Sequence, residues 1–131
     1  RLTTPERARD LAVEARAAGD ARDSAVWREV ALPACRGLMA HAQGAYETCV
    51  SALGQALPRM AETGGSHAQR DVFDRLTIDS GIRAGFFDEA EAILAERTMR
   101  RAGSQDRYAE ARNALLSEGR AASACGARVP A

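Results

Sequence analysis

The chain has 131 residues, of which 46% are hydrophobic and only 5% aromatic, and its 18 basic and 18 acidic side chains balance. This length is typical of a single domain with one modest core. The low aromatic content disfavours a β-sandwich and favours closely packed helices. The zero formal charge provides no general field for nucleic acid or an anionic membrane, so we expect neither as a partner.

The cysteines indicate no disulfide framework. Cys35, Cys49 and Cys125 are an odd number and lack CxxC spacing. Neither His41 nor His67 has i, i+3 or i+4 spacing to a cysteine, so zinc binding is disfavoured. We therefore expect no metal, no cofactor and a reducing, cytoplasmic location. The chain contains no run of about 18 apolar residues to cross a bilayer, and "RLTTPERARD" lacks the apolar segment of a secretory signal.

The first predicted helix begins in "TTPERARDLAVEARAAGD". Thr4 is suited to cap it with Pro5 at the first helical position, or Thr3 forms a capping box with Glu6. Gly19 ends this helix. Its apolar positions at helical spacing are Ala8, Leu11, Ala12 and Ala15.

The next predicted segment, about 22–43, is interrupted by Pro33, which predicts a kink. Its apolar stripe consists of Trp27, Val30, Ala31, Ala34 and Leu38. A turn at Gly44 leads to the clearest amphipathic pattern in the chain, with Pro58 near its end. That stripe consists of Tyr46, Cys49, Val50, Leu53, Ala56, Leu57 and Met60.

Three further helices are predicted after "ETGGS". The fourth spans about 67–84 and has apolar residues on two faces, which indicates a helix between two neighbours. These are Val72, Phe73, Leu76 and Ser80 on one side, and Ile78 with Ile82 on the other. The fifth follows Gly85 and buries Phe86, Ala90, Ile93 and Leu94. The sixth spans about 106–118 and uses Tyr108, Ala111 and Leu115, and residues 119–131 are predicted to be a flexible tail.

Short turns between successive helices predict antiparallel neighbours, and two of the helix pairs show an internal repeat. "AQGAYETCVSAL" and "RAGFFDEAEAIL" align at a period of 41 residues, from Gly44 to Gly85. The matched pairs are Tyr46 with Phe87, Cys49 with Ala90, and Leu53 with Leu94. The sequence thus predicts an all-α fold, an α-solenoid of about six antiparallel helices in a single domain over 1–118.

These repeats resemble tetratricopeptide (TPR) repeats, which have small residues at set positions and a glycine and an aromatic at the turn. In the first hairpin, about 33–62, the matching residues are Gly37, Gly44, Tyr46, Cys49, Leu53 and Ala56. In the second, about 67–101, Ile78 and Arg97 stand where small residues are expected, and 106–118 is a capping helix.

A longer segment, "GGSHAQRDVFDRLTIDSGIRAG", resembles the signature of the tetratricopeptide repeat protein 38-like family. The matching residues are Gly64 to Phe73, Arg83 to Gly85, and Ala95 to Arg97, and the resemblance extends over roughly 33–101. It implies an α-solenoid. It also implies that the chain is a C-terminal part of a longer protein or a short relative.

The same segment contains the candidate site. Gly64, Gly65, Ser66 and Gln69 fit a helix stop followed by a capping box. The pairs His67–Asp71, Arg70–Asp74 and Asp71–Arg75 have i, i+4 spacing, each worth only about 0.2–0.5 kcal/mol. One interpretation is therefore a helix start. The other is a polar stripe for partner binding, in which an arginine grips a partner carboxylate. The candidate contacts are His67, Gln69, Arg70, Asp71 and Asp74.

Catalysis is the least favoured hypothesis, because no Ser-His-Asp or Cys-His set is visible, and no catalytic residue is predicted. The basic cluster "RTMRRAG", 97–103, is interpreted as arginines at a helix C-terminus, with a phosphate site as the alternative. We expect a non-enzymatic scaffold that binds a protein or peptide on its concave face. The alternative is a structural segment that caps a longer solenoid or forms a homo-oligomer.

Overall fold

The computed structural model describes residues 4–7, 9, 10, 14 and 21–126, and every regular element in this part of the chain is helical. The α-helices are α1 (Ala21–Val26), α2 (Leu32–Ala42), α3 (Tyr46–Ala56), α4 (His67–Ala84), α5 (Phe87–Arg100) and α6 (Arg107–Gly126). A π-helical segment, Trp27–Ala31, joins α1 to α2, and a 3-10 helix, Leu57–Thr63, follows α3. The predicted all-α fold is confirmed.

Membrane-spanning helices are not found among the residues described, where every helix is too short or too polar to cross a bilayer.

The N-terminal capping prediction is partly visible. Residues 5–7 are helical, and the Thr4 hydroxyl accepts a hydrogen bond from the backbone N–H of Arg7 at 3.3 Å. Thr4 therefore acts as the cap with Pro5 at the first helical position. The alternative cap Thr3, the stripe positions at 8, 11, 12 and 15, and Gly19 lie outside the described residues.

Pro33 changes the type of helix around it without ending the helical backbone. Proline has no N–H to donate, and its ring clashes with the carbonyl four residues earlier, here Glu29. Glu29 lies within the π-helical segment Trp27–Ala31, immediately before α2. The wider π turn accommodates the proline, which leaves Pro33 and Ala34 buried.

The amphipathic stripe of α3 is confirmed. Gly44 has a φ of +76°, the left-handed conformation that the turn before α3 requires. All seven predicted stripe residues, from Tyr46 to Met60, are buried or half-buried. Regular α-helix ends at Ala56, and Pro58 lies in the first turn of the 3-10 helix that follows.

Two apolar clusters form the core, and α4 contributes to both. The first contains Val30, Ala34, Ala40, Cys49, Leu53, Ala56 and Met60, with Phe73 and Leu76 of α4 packed against it. The second contains Ile78, Ala90, Leu94, Ala109 and Leu116, with Ile82 and Phe87 packed against it. The prediction that α4 lies between two neighbours is confirmed. One stripe residue, Val72, was wrongly predicted to be buried, because it is 50% exposed.

The 41-residue repeat is visible in the backbone of both turns. Gly44 and Gly85 have φ angles of +76° and +80°. The next residues, Ala45 and Phe86, have φ and ψ angles of −82° and 67°, and of −88° and 65°. Each donates its N–H to a carbonyl of the preceding helix at 2.8 Å. The turns and helix starts of the two pairs are therefore equivalent.

The two helix pairs come close at different small residues. A Cβ added at Gly37 in α2 would lie 2.4 Å from Cγ of Leu53 in α3. In the second pair Ile78, fully buried, occupies the equivalent of Gly37. The close contact there is at Gly81, where an added Cβ would lie 3.0 Å from that of Ala90.

The last helix was predicted with the wrong end and partly the wrong face. It continues to Gly126, so residues 119–126 of the predicted tail are helical, and 127–131 lie outside the described residues. Its buried residues are Ala109 and Leu116, whereas Ala111 is exposed and Leu115 is 44% exposed. The helix extends because Phe87 packs on Gly119, where an added Cβ would lie 2.5 Å from the ring.

Candidate functional site

The start of α4 is built by local hydrogen bonds. The Ser66 hydroxyl accepts from the Gln69 backbone N–H at 3.2 Å, and the Gln69 side chain accepts from the Ser66 N–H at 2.7 Å. Gly64 and Gly65 have φ angles of +79° and +81°. The capping-box prediction is confirmed, and Gln69, a predicted partner contact, is used in the cap.

Arg70 and His67 lie together on the exposed side of this start. Arg70 Nη1 donates to the Gly65 carbonyl at 2.6 Å, and its Nη2 lies 3.2 Å from His67 Nδ1. The Arg70 guanidinium therefore bridges the first turn of α4 and the glycine loop before it.

Asp71 faces α5, where it binds a buried arginine. Arg97 Nε and Nη2 donate to the two oxygens of Asp71 at 2.5 and 3.0 Å. The same guanidinium donates to both oxygens of Asp106 at 3.2 and 2.9 Å. Arg97 is only 2% exposed. Hydrogen bonds from Arg97 hold the pKa values of Asp71 and Asp106 below the ordinary range for aspartate.

Asp74, one turn further along α4, is the most buried of the predicted contacts. Arg100 Nη2 donates to it at 2.9 Å, with an Asp74 side chain 8% exposed and an Arg100 side chain 53% exposed. Burial raises the pKa of Asp74, although Arg100 opposes that change. The head group of Arg100 extends from this pair toward solvent.

The predicted i, i+4 pairs need correction. Asp71–Arg75 forms, with 2.9 Å between Arg75 Nε and Asp71 Oδ2. Asp74 instead pairs with Arg100 of the next helix, and His67 lies beside Arg70. Burying the two carboxylates against α5 makes the inter-helix pairs available, and these replace surface pairs of little value.

These residues line an open groove of about 650 Å³ between α4 and the end of α5, here called the arginine groove. Its lining residues are His67, Ala68, Arg70, Asp71, Val72, Asp74, Arg75, Arg97, Arg100 and Arg101. Five arginines thus face two aspartates. Arg75, Arg100 and Arg101 are exposed, so the accessible charge of the groove is positive.

Tyr108 of α6 fixes the arginines at the back of the groove. The guanidinium carbons of Arg75, Arg97 and Arg112 lie 4.8, 5.0 and 4.3 Å from the centre of its ring. Its hydroxyl donates to Asp79 at 2.9 Å. Burial is the main cause that raises the pKa of Tyr108. The Tyr108 ring therefore holds the guanidinium groups of Arg75 and Arg97 in place.

The structure therefore joins two segments that sequence reasoning kept apart, the polar stripe of α4 and the basic cluster at 97–103. Arg75, Arg97, Arg100 and Arg101 were not predicted as site residues. The two ion pairs that join these segments, Asp71–Arg97 and Asp74–Arg100, are each formed between residues 26 positions apart. This spacing gave no signal in advance, because opposite residues of the antiparallel helices predicted from the sequence would keep a constant sum of residue numbers and not a constant separation.

The remaining histidine and the buried cysteine have structural contacts. His41 Nδ1 lies 2.8 Å from the Ser80 hydroxyl, and Ser80 is fully buried between helices. Burial chiefly raises the pKa of Cys49, which disfavours its thiolate. Within residues 21–126 and the described N-terminal positions, no group of three or more His, Cys, Asp or Glu side chains is arranged to hold a metal ion.

Comparison with known proteins adds no family to this description. No protein-family model matches the chain, and no solved structure matches it.

Proposed function

We propose that this chain is a non-enzymatic, cytoplasmic scaffold module that binds a protein or peptide partner in the arginine groove. In this proposal α2–α3 and α4–α5 are antiparallel hairpins of a TPR-like α-solenoid, and the groove belongs to its concave face. The equivalent turns at Gly44 and Gly85 support the repeat. The "GGSHAQRDVF" signature supports membership of the tetratricopeptide repeat protein 38-like family.

One observation supports the binding role above the others: an open groove of about 650 Å³ presents exposed guanidinium groups held in fixed positions. Arg75 is held by Asp71 and Tyr108, and Arg100 by Asp74. Arginines held in advance lose less freedom on binding, so they bind a partner more tightly than mobile surface arginines.

The residues proposed for binding have two different roles. Asp71 and Asp74 position arginines, while His67, Arg70, Arg75, Arg100 and Arg101 face the groove. Removing Asp71 would test folding as much as binding, because it would leave the buried Arg97 with one carboxylate partner fewer. The test therefore changes Arg70, which is half-buried, and Arg101, which is exposed.

The test is an array of short peptides of acidic, neutral and basic composition, probed with the full chain. The variant is the double charge reversal Arg70→Glu and Arg101→Glu. Its control is Arg36→Glu with Arg107→Glu, which makes the same charge change at exposed positions outside the groove lining. We expect selective peptide binding that the groove variant loses and the control keeps. Binding to no peptide, or equal loss in both variants, would refute the proposal.

A second candidate is a structural segment that self-associates through its last helix. It is favoured by Leu115, which is 44% exposed on α6 near the exposed Ala111 and Ala114. Light scattering of the isolated chain would then show a dimer that Leu115→Glu converts to monomer. A wild-type chain that stays monomeric at high concentration would exclude this candidate.

A further inference from the structure

The arginine groove adjoins a smaller cavity, whose surface is also more polar than apolar. This cavity, of about 140 Å³, shares Arg70, Asp74 and Arg100 with the groove. Its other wall is mainly apolar and comes from the 3-10 helix after α3. That wall consists of Leu57, Pro58, Met60 and Ala61, with Glu96 at the side of α5, and the cavity is here called the 57–61 pocket.

The exposed arginines of the groove have donor groups that match carboxylates. An arginine guanidinium offers paired N–H donors that match the two oxygens of a carboxylate. Arg100 donates to Asp74 through Nη2, and Arg101 Nη2 lies 3.6 Å from Asp106, at the limit of an ion pair. Both side chains are about half-exposed, at 53% and 48%, so their forks are accessible to a partner.

Two features disfavour nucleic acid as the occupant. Three guanidinium groups surround the Tyr108 ring, so it offers no free face on which a base can stack. The chain has no net charge, and Asp74 and Glu96 border the passage between the two cavities. A phosphate backbone carries a charge at every nucleotide and would meet these carboxylates, whereas a peptide can place an uncharged side chain beside them.

We propose that the groove takes an acidic peptide segment that has an apolar side chain next to its carboxylates. The carboxylates bind Arg75, Arg100 and Arg101, and the apolar side chain enters the 57–61 pocket beyond Arg70. This inference rests on the proposed function, because it names the partner of the same groove. Charge selects the segment, and the apolar anchor fixes its register.

The experiment measures the fluorescence anisotropy of a labelled peptide, Asp-Glu-Asp-Leu-Gly-Ser, with the full chain. Its charge-neutral counterpart replaces each acid by the matching amide, and a second counterpart replaces leucine by serine. We expect the amide peptide to bind about tenfold or more weakly, the effect of losing hydrogen bonds to charged groups. We expect the serine peptide to bind several-fold more weakly, and added salt to weaken the acidic peptide most.

A protein variant separates the two parts of the site. Ala61→Gln places a longer neutral side chain in the 57–61 pocket, at an exposed position of the 3-10 helix. It should weaken the leucine peptide to the level of the serine peptide and leave the serine peptide unchanged. The control Ala122→Gln makes the same change at an exposed position of α6 and should alter neither.

The outcomes are distinguishable. If the amide peptide binds as well as the acidic one, or if only neutral or basic peptides bind in the groove, the inference is wrong and the proposed function stands. Unlabelled competitors give a further test. If inorganic phosphate or a short oligonucleotide displaces the labelled acidic peptide at a lower concentration than the unlabelled acidic peptide does, the inference is also wrong. If no peptide of any composition binds, both are wrong.

Discussion

Arg97 is the centre of the ion-pair network that it forms with Asp71 and Asp106. It lies 41 positions after Ala56, which is fully buried in the first helix pair, and the arginine is almost equally buried in the second. Removing a charge from water is costly, and here Asp71 and Asp106 offset that cost with two-pronged hydrogen bonds. The repeat period located this position, but it predicted a small apolar residue.

The variant Arg97→Ala should lower the free energy of unfolding by about 3–5 kcal/mol, because it leaves two carboxylates without their shared partner. Urea denaturation would measure the change. Arg36→Ala, at an exposed position of α2, should stay within about 0.5 kcal/mol of the wild type. A loss of less than about 1 kcal/mol in Arg97→Ala would mean that the network contributes no more than a surface pair.

Glycine substitutions in the first helix pair should have opposite signs. Gly37→Ala places a Cβ 2.4 Å from Cγ of the fully buried Leu53, which should cost about 1–3 kcal/mol. Gly54→Ala meets nothing within 4 Å and should stabilise α3 by about 0.4–1 kcal/mol. Thermal unfolding of the two variants would measure the stability change of each. Equal stabilisation by both would rule out the close contact between α2 and α3.

At the scale of helices, the features that depend on a few neighbouring residues, such as helix ends, were predicted best from the sequence. The bounds of α4 follow from its Ser66–Gln69 capping box and from Gly85, which has a left-handed φ of +80°. The buried face of α6 depends on distant partners, so its predicted stripe included Leu115 while Leu116 is the buried residue. The position of the neighbouring helix determines which side is covered, and no local pattern contains that information.

The extension of α6 beyond the predicted end can be tested at Gly119. An alanine there would collide with the Phe87 ring, with 2.5 Å between its Cβ and a ring carbon. We expect a loss of about 1–3 kcal/mol in the free energy of unfolding. Gly126→Ala, which meets nothing within 4 Å, serves as the control and should be near neutral. A neutral Gly119→Ala would show that α6 does not pack on α5 at this point.

For the whole molecule, the ionic network predicts a loss of stability in acid. The pKa of Asp106 is lowered in the folded state, so its contribution is present above the ordinary aspartate pKa and is lost as the pH falls below about 4. The pKa of Asp74 is raised, so its contribution has the opposite sign: it is present at low pH and declines as the pH rises. Asp71, whose pKa is also lowered by Arg97, contributes in the same direction as Asp106.

The variant Asp106→Asn keeps an oxygen to cap the Ala109 N–H but loses the charge that pairs with Arg97. It should be less stable than the wild type at neutral pH, and the difference should shrink as the pH falls below about 4. Denaturant titrations at a series of pH values would measure it. A difference that does not change with pH would assign the effect to lost packing and not to charge.

The arginine groove is formed by two segments whose contact could not be predicted from the sequence. The polar stripe of α4 and the cluster at 97–103 were each recognised, and each was given a local explanation. Whether they meet depends on the rotation of α4 against α5, which the apolar clusters on both faces of α4 determine. Only the assembled core places Asp71 opposite Arg97 and Asp74 opposite Arg100.

The most direct test of the central claim is an NMR titration that follows the arginine Nε–H signals while the acidic leucine peptide is added. The groove account predicts that signals of Arg70, Arg75, Arg100 and Arg101 shift together and saturate, while those of Arg36 and Arg120 stay in place. Shifts confined to arginines outside the groove, or no shift at saturating peptide, would contradict it.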